Sequence, residues 1–163
     1  MRATGEVMGA ADSFELAFYK AQEAAGAKLP TKGNILLTVA DKDKEAILPL
    51  AEKIQSLGFS IYATEGTSRF LKENKIENTK INKLHEGRPN IADAIKNDEL
   101  QLIINTPIGK DSKHDDSYIR MMSIQKKTPY VTSIAAAEAS IAGIEAVKNG
   151  GTIFPKALQE YHN

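Results

Sequence analysis

Asn34-Ile35-Leu36-Leu37-Thr38-Val39-Ala40 is a short apolar run with turn-forming residues on both sides, Lys32-Gly33 before it and Asp41-Lys42 after it. Its length predicts a strand, and its lack of polar alternation predicts that the strand is covered on both faces of a sheet. Working outward, residues 43–57 have helical spacing and stop at Gly58, with Pro49 restricted to the first turns or kinking the element. Residues 59–63 read as a second strand, and Thr64-Glu65-Gly66-Thr67-Ser68 leads into a helix over 69–74. Beyond these, 80–83 reads as a short strand, 91–96 as a short helix, 100–105 as a strand and 116–126 as a helix. A last strand over 130–133 precedes an alanine-rich helix over 135–148 that ends at Asn149-Gly150-Gly151. Strands alternating with helices imply right-handed crossovers and an α/β fold with a mostly parallel sheet.

Before the first strand, residues 1–11 are rich in glycine and small side chains and read as a loop or linker. Asp12 starts a helix: Asp12-Ser13-Phe14-Glu15 has the form of a capping box, and Phe14, Ala17, Phe18, Ala21 and Ala25 make an apolar stripe that ends before Gly26. Residues 1–30 are therefore expected to form a linker and helix, and 31–163 the main domain. With 163 residues and 42% apolar content, one compact core is expected. The 21 basic and 21 acidic residues cancel, which predicts neither a nucleic acid nor a membrane surface as partner. The absence of cysteine excludes disulfides, thiolate metal sites and cysteine nucleophiles, and fits a reducing, cytoplasmic setting. No apolar run is long enough to span a membrane, and no basic segment followed by an apolar stretch opens the chain, so no export is expected.

In an open α/β sheet, ligands bind beyond the carboxyl ends of the strands. Those positions carry Asp41, Lys42, Asp43 and Lys44, then Thr64 to Thr67, then Lys83 to Pro89, then Asn105, Thr106, Pro107 and Gly109. In the Thr64-Glu65-Gly66-Thr67 turn, Gly66 permits close backbone approach, two hydroxyls donate, and the following helix offers unpaired N–H groups to an anion. The same turn also has a purely structural reading as a helix N-cap. Lys44 and Lys83 lie just past neighbouring strands, where two ammonium groups could neutralise a phosphate monoester. Lys42 and Lys110 read as solvated charges. His85-Glu86 and His114-Asp115-Asp116 place acid/base candidates in loops, but His85-Glu86 lacks the second histidine of a zinc helix, and His162 falls in a terminal tail. Without a Walker, dinucleotide or nucleophile-elbow motif, binding is preferred to turnover.

Two stretches resemble the large subunit of carbamoyl-phosphate synthetases. Met1-Arg2-Ala3-Thr4-Gly5-Glu6-Val7-Met8-Gly9 is similar to the segment that closes the second ATP-grasp synthetase unit, and Asn82-Lys83-Leu84-His85-Glu86-Gly87-Arg88-Pro89 to the regulatory domain. Leu37-Thr38-Val39, Asp43-Lys44, Thr64 to Thr67, Ile103-Ile104-Asn105-Thr106, Asp116-Ser117, Ile119-Arg120 and Tyr130-Val131-Thr132 agree in order, so the resemblance covers essentially the whole chain. It implies a three-layer, Rossmann-like, methylglyoxal-synthase-like fold with a central five-stranded parallel sheet. It implies an allosteric domain without catalytic residues, cofactor or metal of its own, to which UMP binds as inhibitor and IMP as activator. By position, Thr38, Lys44, Thr64, Thr67, Lys83, Asn105 and Thr106 would line the nucleotide pocket, with Asp116 near the ribose. Tyr130 and Thr132 would contact ornithine where the domain meets the synthetase unit, although pattern alone reads them as an ordinary strand.

The resemblance further implies a piece of a longer chain, with the stripe from Phe14 to Ala25 packed against surface outside these residues. The parent would be a ligase that uses ATP, with Mg or Mn and K, beside a glutaminase small subunit. It would make carbamoyl phosphate for pyrimidine and arginine biosynthesis. Pro107 stands where some members carry a hydroxyl, which leaves the effector's identity open, a sugar pyrophosphate included. The enzyme alternative is methylglyoxal synthase, a phosphate-eliminating lyase that needs a carboxylate base. Its pattern puts Arg88 at or near the catalytic aspartate, Asp93 on the next helix, and His114 in register only with a gap. A free-standing phosphate-binding adaptor, starting at Met1, is the third reading.

Overall fold

The computed structural model describes residues 5–106, 113–151 and 157–161. Met1 to Thr4, Pro107, Gly109, Lys110 and His162 lie outside the described residues, as does the His114 side chain. Strands β1 (Asn34–Thr38), β2 (Ser60–Ala63), β3 (Thr79–Lys80), β4 (Leu102–Asn105) and β5 (Tyr130–Val131) form a parallel sheet in the order β3-β2-β1-β4-β5. Helices α1 (Phe14–Ala24), α2 (Lys44–Ser56), α3 (Glu65–Glu73), α4 (Ile91–Lys96), α5 (Lys113–Lys126) and α6 (Ile134–Lys148) complete the domain. The expected five-stranded parallel sheet with flanking helices is the observed architecture.

Strand periodicity divides the core in two. Ile35, Leu37 and Val39 turn to the face covered by α1, α2 and α6, among Ile47, Ile54, Ile141 and Ile144. Leu36 points the other way, with Ile103 of β4, into Ile91 and Ile95 of α4 and Ile119 and Met122 of α5. This two-sided burial is why β1 reads as a continuous apolar run. At the sheet's edge, β3 is shorter than the expected strand over 80–83. Thr79 and Lys80 are exposed, and only a bridge between Asn82 and Asn90 prolongs the pairing. A short, charged edge suits a strand open to solvent on one side.

The N-terminal helix departs from its expected phase. Ser13, not Asp12, is the N-cap, its hydroxyl accepting from the Leu16 N–H at 3.4 Å. Phe14 is 67% exposed and Ala25 is exposed, whereas Tyr19, which the stripe omits, is 1% exposed within the main core. The cause lies on α6, where a Cβ at Gly143 would stand 3.0 Å from the Glu15 carbonyl oxygen and 3.3 Å from the Tyr19 Cβ. Glycine there lets α1 lie close across α6, so the buried side of α1 packs within this chain. The Tyr19 hydroxyl donates to the Leu29 carbonyl at 3.0 Å, which ties the helix to the connector before β1.

If α1 shares this core, Tyr19→Ala should lower unfolding free energy by about 3–5 kcal/mol through loss of a buried aromatic ring. Tyr19→Phe should cost about 1 kcal/mol for the lost hydrogen bond. Chemical denaturation followed by circular dichroism reads both, and an unchanged midpoint in Tyr19→Ala would make α1 an energetically separate appendage.

Candidate functional site

The strand order reverses at β1, with β2 and β3 on one side and β4 and β5 on the other. The crevice this leaves opens past the carboxyl ends of β1 and β4, where Thr38 and Asn105 are register partners. The chain leaving β1 is still buried at Val39 and Ala40, so the backbone N–H groups there need acceptors. Thr67 Oγ1 accepts from Val39 at 3.2 Å and Thr106 Oγ1 accepts from Ala40 at 2.9 Å. Thr64 Oγ1 donates to Thr38 Oγ1 at 3.1 Å, and the Thr106 N–H bonds the Thr38 carbonyl at 3.0 Å. These four buried threonines join the ends of β1, β2 and β4. In three of them, Thr38, Thr67 and Thr106, these bonds consume an oxygen lone pair and leave the hydroxyl proton to donate.

Thr64 is extended (φ −70°, ψ 158°) and is the N-cap of α3, but its side chain makes no capping bond. The glycine turn is therefore the first turn of the helix itself, which starts before the expected residue 69. Its opening N–H groups face the crevice without a side-chain cap. Lys44, at the start of α2, brings its Nζ to 3.7 Å from where a Cβ on Gly66 would sit, and 5.9 Å from the Phe70 ring centroid. Any side chain at residue 66 would meet that ammonium group. A cation at a helix N-terminus is electrostatically unfavourable, and an anion between the two is attracted by both.

Lys83 caps the 3-10 turn Leu84–Glu86, and the Glu86 carboxylate accepts the Lys83 N–H at 2.8 Å, fixing the loop that carries it. The field of these cations is registered by Asp41, whose carboxylate lies 2.7 Å from Lys44 Nζ. The Lys44 ammonium, by hydrogen bond and charge, holds the Asp41 carboxyl below its ordinary range, and Arg69 and Lys83 add to the effect. Arg69 was not among the expected residues. Only the earlier start of α3 puts it one turn beyond Gly66.

On the β4 side, buried Asn105 donates its amide to Asp116 Oδ1 at 2.9 Å and to the Tyr130 hydroxyl at 2.6 Å. Burial, more than its other surroundings, pushes the Tyr130 phenol up, and Arg120 stands 5.7 Å from its ring centroid. Asn105, Asp116, Ser117, Arg120, Tyr130 and Thr132 line a cavity of about 220 Å³. The expected residues thus gather as a threonine and lysine cradle and an adjoining cavity, linked where Thr38 pairs with Asn105. Tyr130 and Thr132, assigned by resemblance to a junction with another unit, stand in the wall of the same cavity as Asn105 and Asp116.

The acid/base candidates are otherwise engaged. Glu86 serves the Lys83 backbone rather than His85, whose Nδ1 lies 2.9 Å from Asp115 Oδ2. Asp93 accepts from Arg88 Nε at 3.1 and 3.0 Å, is also met by Arg88 Nη2, and caps α4 through the Asn90 N–H at 3.1 Å. Among the described residues, no group of three or more His, Asp or Glu side chains could hold a metal ion, and no helix is long and apolar enough to cross a membrane.

The MGS-like domain model matches residues 46–132. The chain belongs to the MGS-like domain family. Over its whole length it is 47% identical to the protein of Aquifex aeolicus described as carbamoyl phosphate synthase large chain, C-terminal section, of which it covers 31%. Over 99% of its length it is 49% identical to the protein of that description from Methanopyrus kandleri, covering 30% of it. It is 47% identical to the carbamoyl phosphate synthase large chain of Archaeoglobus fulgidus, covering 15% of that protein. Among solved structures, methylglyoxal synthase from Elizabethkingia anophelis NUHP1 superposes with a TM-score of 0.54 at 15% identity, over 69% of this chain and 79% of that one. That likeness is one of fold.

The carboxylate chemistry of this MGS-like domain can be tested by titration. The Arg88 guanidinium, chiefly by hydrogen bonding, holds the Asp93 carboxyl below the ordinary range. A depressed folded-state pKa stabilises above the unfolded value, and the contribution is lost as pH falls through the folded one. Arg88→Gln should return Asp93 toward its ordinary value, so this loss comes at higher pH on acidification. Carbon-13 NMR titration of the Asp93 side chain reads the shift, and an unmoved value would mean that the pair does not form in solution.

Proposed function

We propose that this chain is the allosteric, effector-binding domain of a carbamoyl phosphate synthase large chain, and that its effector is a nucleoside monophosphate. The observation that carries the reading is the Lys44 ammonium held over Gly66 at the uncapped first turn of α3, between buried threonine hydroxyls. A phosphate monoester would bring a doubly charged anion to this arrangement, in which the exposed Asp41 carboxylate is the present partner of Lys44. The phosphate oxygens would accept from the α3 N–H groups, from the Thr38, Thr67 and Thr106 hydroxyls, and from Lys44 and Lys83, and from Thr64 once its proton leaves Thr38. The cavity lined by Asn105, Asp116 and Tyr130 adjoins the cradle and would take the sugar. The lyase reading is disfavoured, because Asp93 is bound by Arg88 and by the cap of α4.

In this reading UMP is the inhibitor and IMP the activator, and ornithine contacts Tyr130 and Thr132 from the preceding synthetase domains. The parent consumes ATP, bicarbonate and the ammonia its glutaminase subunit releases, and feeds pyrimidine and arginine synthesis. An effector shifts that parent only as far as it binds two of its states unequally, and a coupling of roughly 1–3 kcal/mol is ordinary.

Calorimetric titration with UMP and IMP tests the site. One-to-one binding is expected, weakened about tenfold to a hundredfold by Lys83→Ala or Lys44→Ala, the worth of a hydrogen bond to a charged group. Uridine and inosine, which lack the phosphate, should lose at least as much. Nucleosides that bind as well as nucleotides would overturn the phosphate assignment, and no binding of either nucleotide at millimolar concentration by the folded chain would overturn the effector class.

A further inference from the structure

The cradle already holds an anion of its own. Asp41, the first residue of the 3-10 turn Asp41–Asp43, sets its carboxylate against the Lys44 ammonium from the solvent side. Its side chain is 94% exposed, whereas that of Lys44 is 19% exposed. We infer that Asp41 is the resident counterion of the cradle, occupying on Lys44 the place a ligand phosphate takes, and that it competes there with every incoming anion. The inference rests on the phosphate reading of the site given above.

The argument begins with electrostatics. An ammonium group beside a helix N-terminus needs a negative partner, and Asp41 provides one while water keeps the pair weak. An exposed ion pair of this kind contributes little to stability, so a stronger anion can replace it without disturbing the fold. Lys44, Lys83 and Arg69 act together on Asp41, while Glu65, the carboxylate in the first turn of α3, is engaged by Lys80. Asp43 and Lys42 share the 3-10 turn with Asp41. When the incoming anion carries one charge, the exchange replaces like with like. A phosphate monoester dianion brings a second charge to a site with three cations around it. Displacing Asp41 costs every incoming anion the same, so Asp41 lowers the affinity for all of them, and an anion that can also reach Lys83 and Arg69 is best able to offset that cost. If Asp41 instead served to hold Lys44 in place, removing its charge would weaken binding, the opposite sign.

The experiment titrates UMP and inorganic phosphate into the unsubstituted chain and into Asp41→Asn and Asp41→Ser, at low and high chloride, with folding checked by circular dichroism. Both variants should bind UMP about fivefold more tightly at low salt, the effect of removing one like charge at about 4 Å in water. Their advantage should shrink as chloride rises, because the vacated ammonium now accepts a monoanion. Equal or weaker binding in both variants, with the unsubstituted chain still binding UMP and Lys83→Ala still impairing it, would overturn the counterion role and leave the phosphate site standing. If neither the unsubstituted chain nor the variants bind either probe while folded, both readings fall. Binding by the variants alone would support the counterion role in its strongest form.

Discussion

The end of β1 is where the structure's main obligation falls due. A strand covered on both faces needs all its backbone groups paired, and at Val39 and Ala40 the chain is still buried while the parallel ladder has run out. Their N–H groups are taken by Thr67 and Thr106, hydroxyls from two other connections, one past β2 and one past β4. The requirement of a dry strand end thus places threonines in a collar at the reversal of strand order. A collar built to satisfy the backbone holds hydroxyl protons at the mouth of the crevice. The structural role of these residues and the binding role proposed for them follow from one geometry and are not alternatives.

Charge turns that collar into a cradle. Gly66 gives the Lys44 side chain room over α3, and the uncapped helix start leaves its N–H groups facing the same space. Two positive elements set side by side are stable only with a counter-charge close by, and in the chain by itself that charge is an exposed carboxylate. The fold can hold this arrangement because the long apolar contacts of β1 with α2 and α4 carry the stability. The polar rim costs little and can change partners.

Much of this was readable from the residues. The β1 run announced two-sided burial, and the strand ends announced that Thr64, Thr67 and Lys44 would meet around the glycine turn, because strand ends and glycine turns are local features. The rest was set by tertiary contact. The phase of α1 could not be read from its own pattern, since Phe14 and Phe18 are as apolar as Tyr19, and Gly143 on α6 decides which side lies down. Arg69 was hidden by the expectation that the helix began there. In the structure α3 starts directly after Thr64, because an extended threonine followed by residues free to turn makes an N-cap without needing its side chain. The pairing of His85 with Asp115 joins residues far apart in the chain, and no spacing rule could have chosen it over Glu86.

Asn105 binds the two halves of the site into one mechanical unit. Its backbone sits in register with Thr38 of the cradle, and its two amide protons go to Asp116 on α5 and to Tyr130 on β5. A side-chain amide has no further protons to give. A ligand that takes a hydrogen bond from Asn105 must therefore displace its bond to Asp116 or its bond to Tyr130. In the proposed reading, two nucleotides that differ in which of these bonds they displace would meet the crevice differently while sharing one phosphate position. Differential contact of this kind is what an effector pair of opposite sign requires, since ligands that met both arrangements equally would shift nothing however tightly they bound.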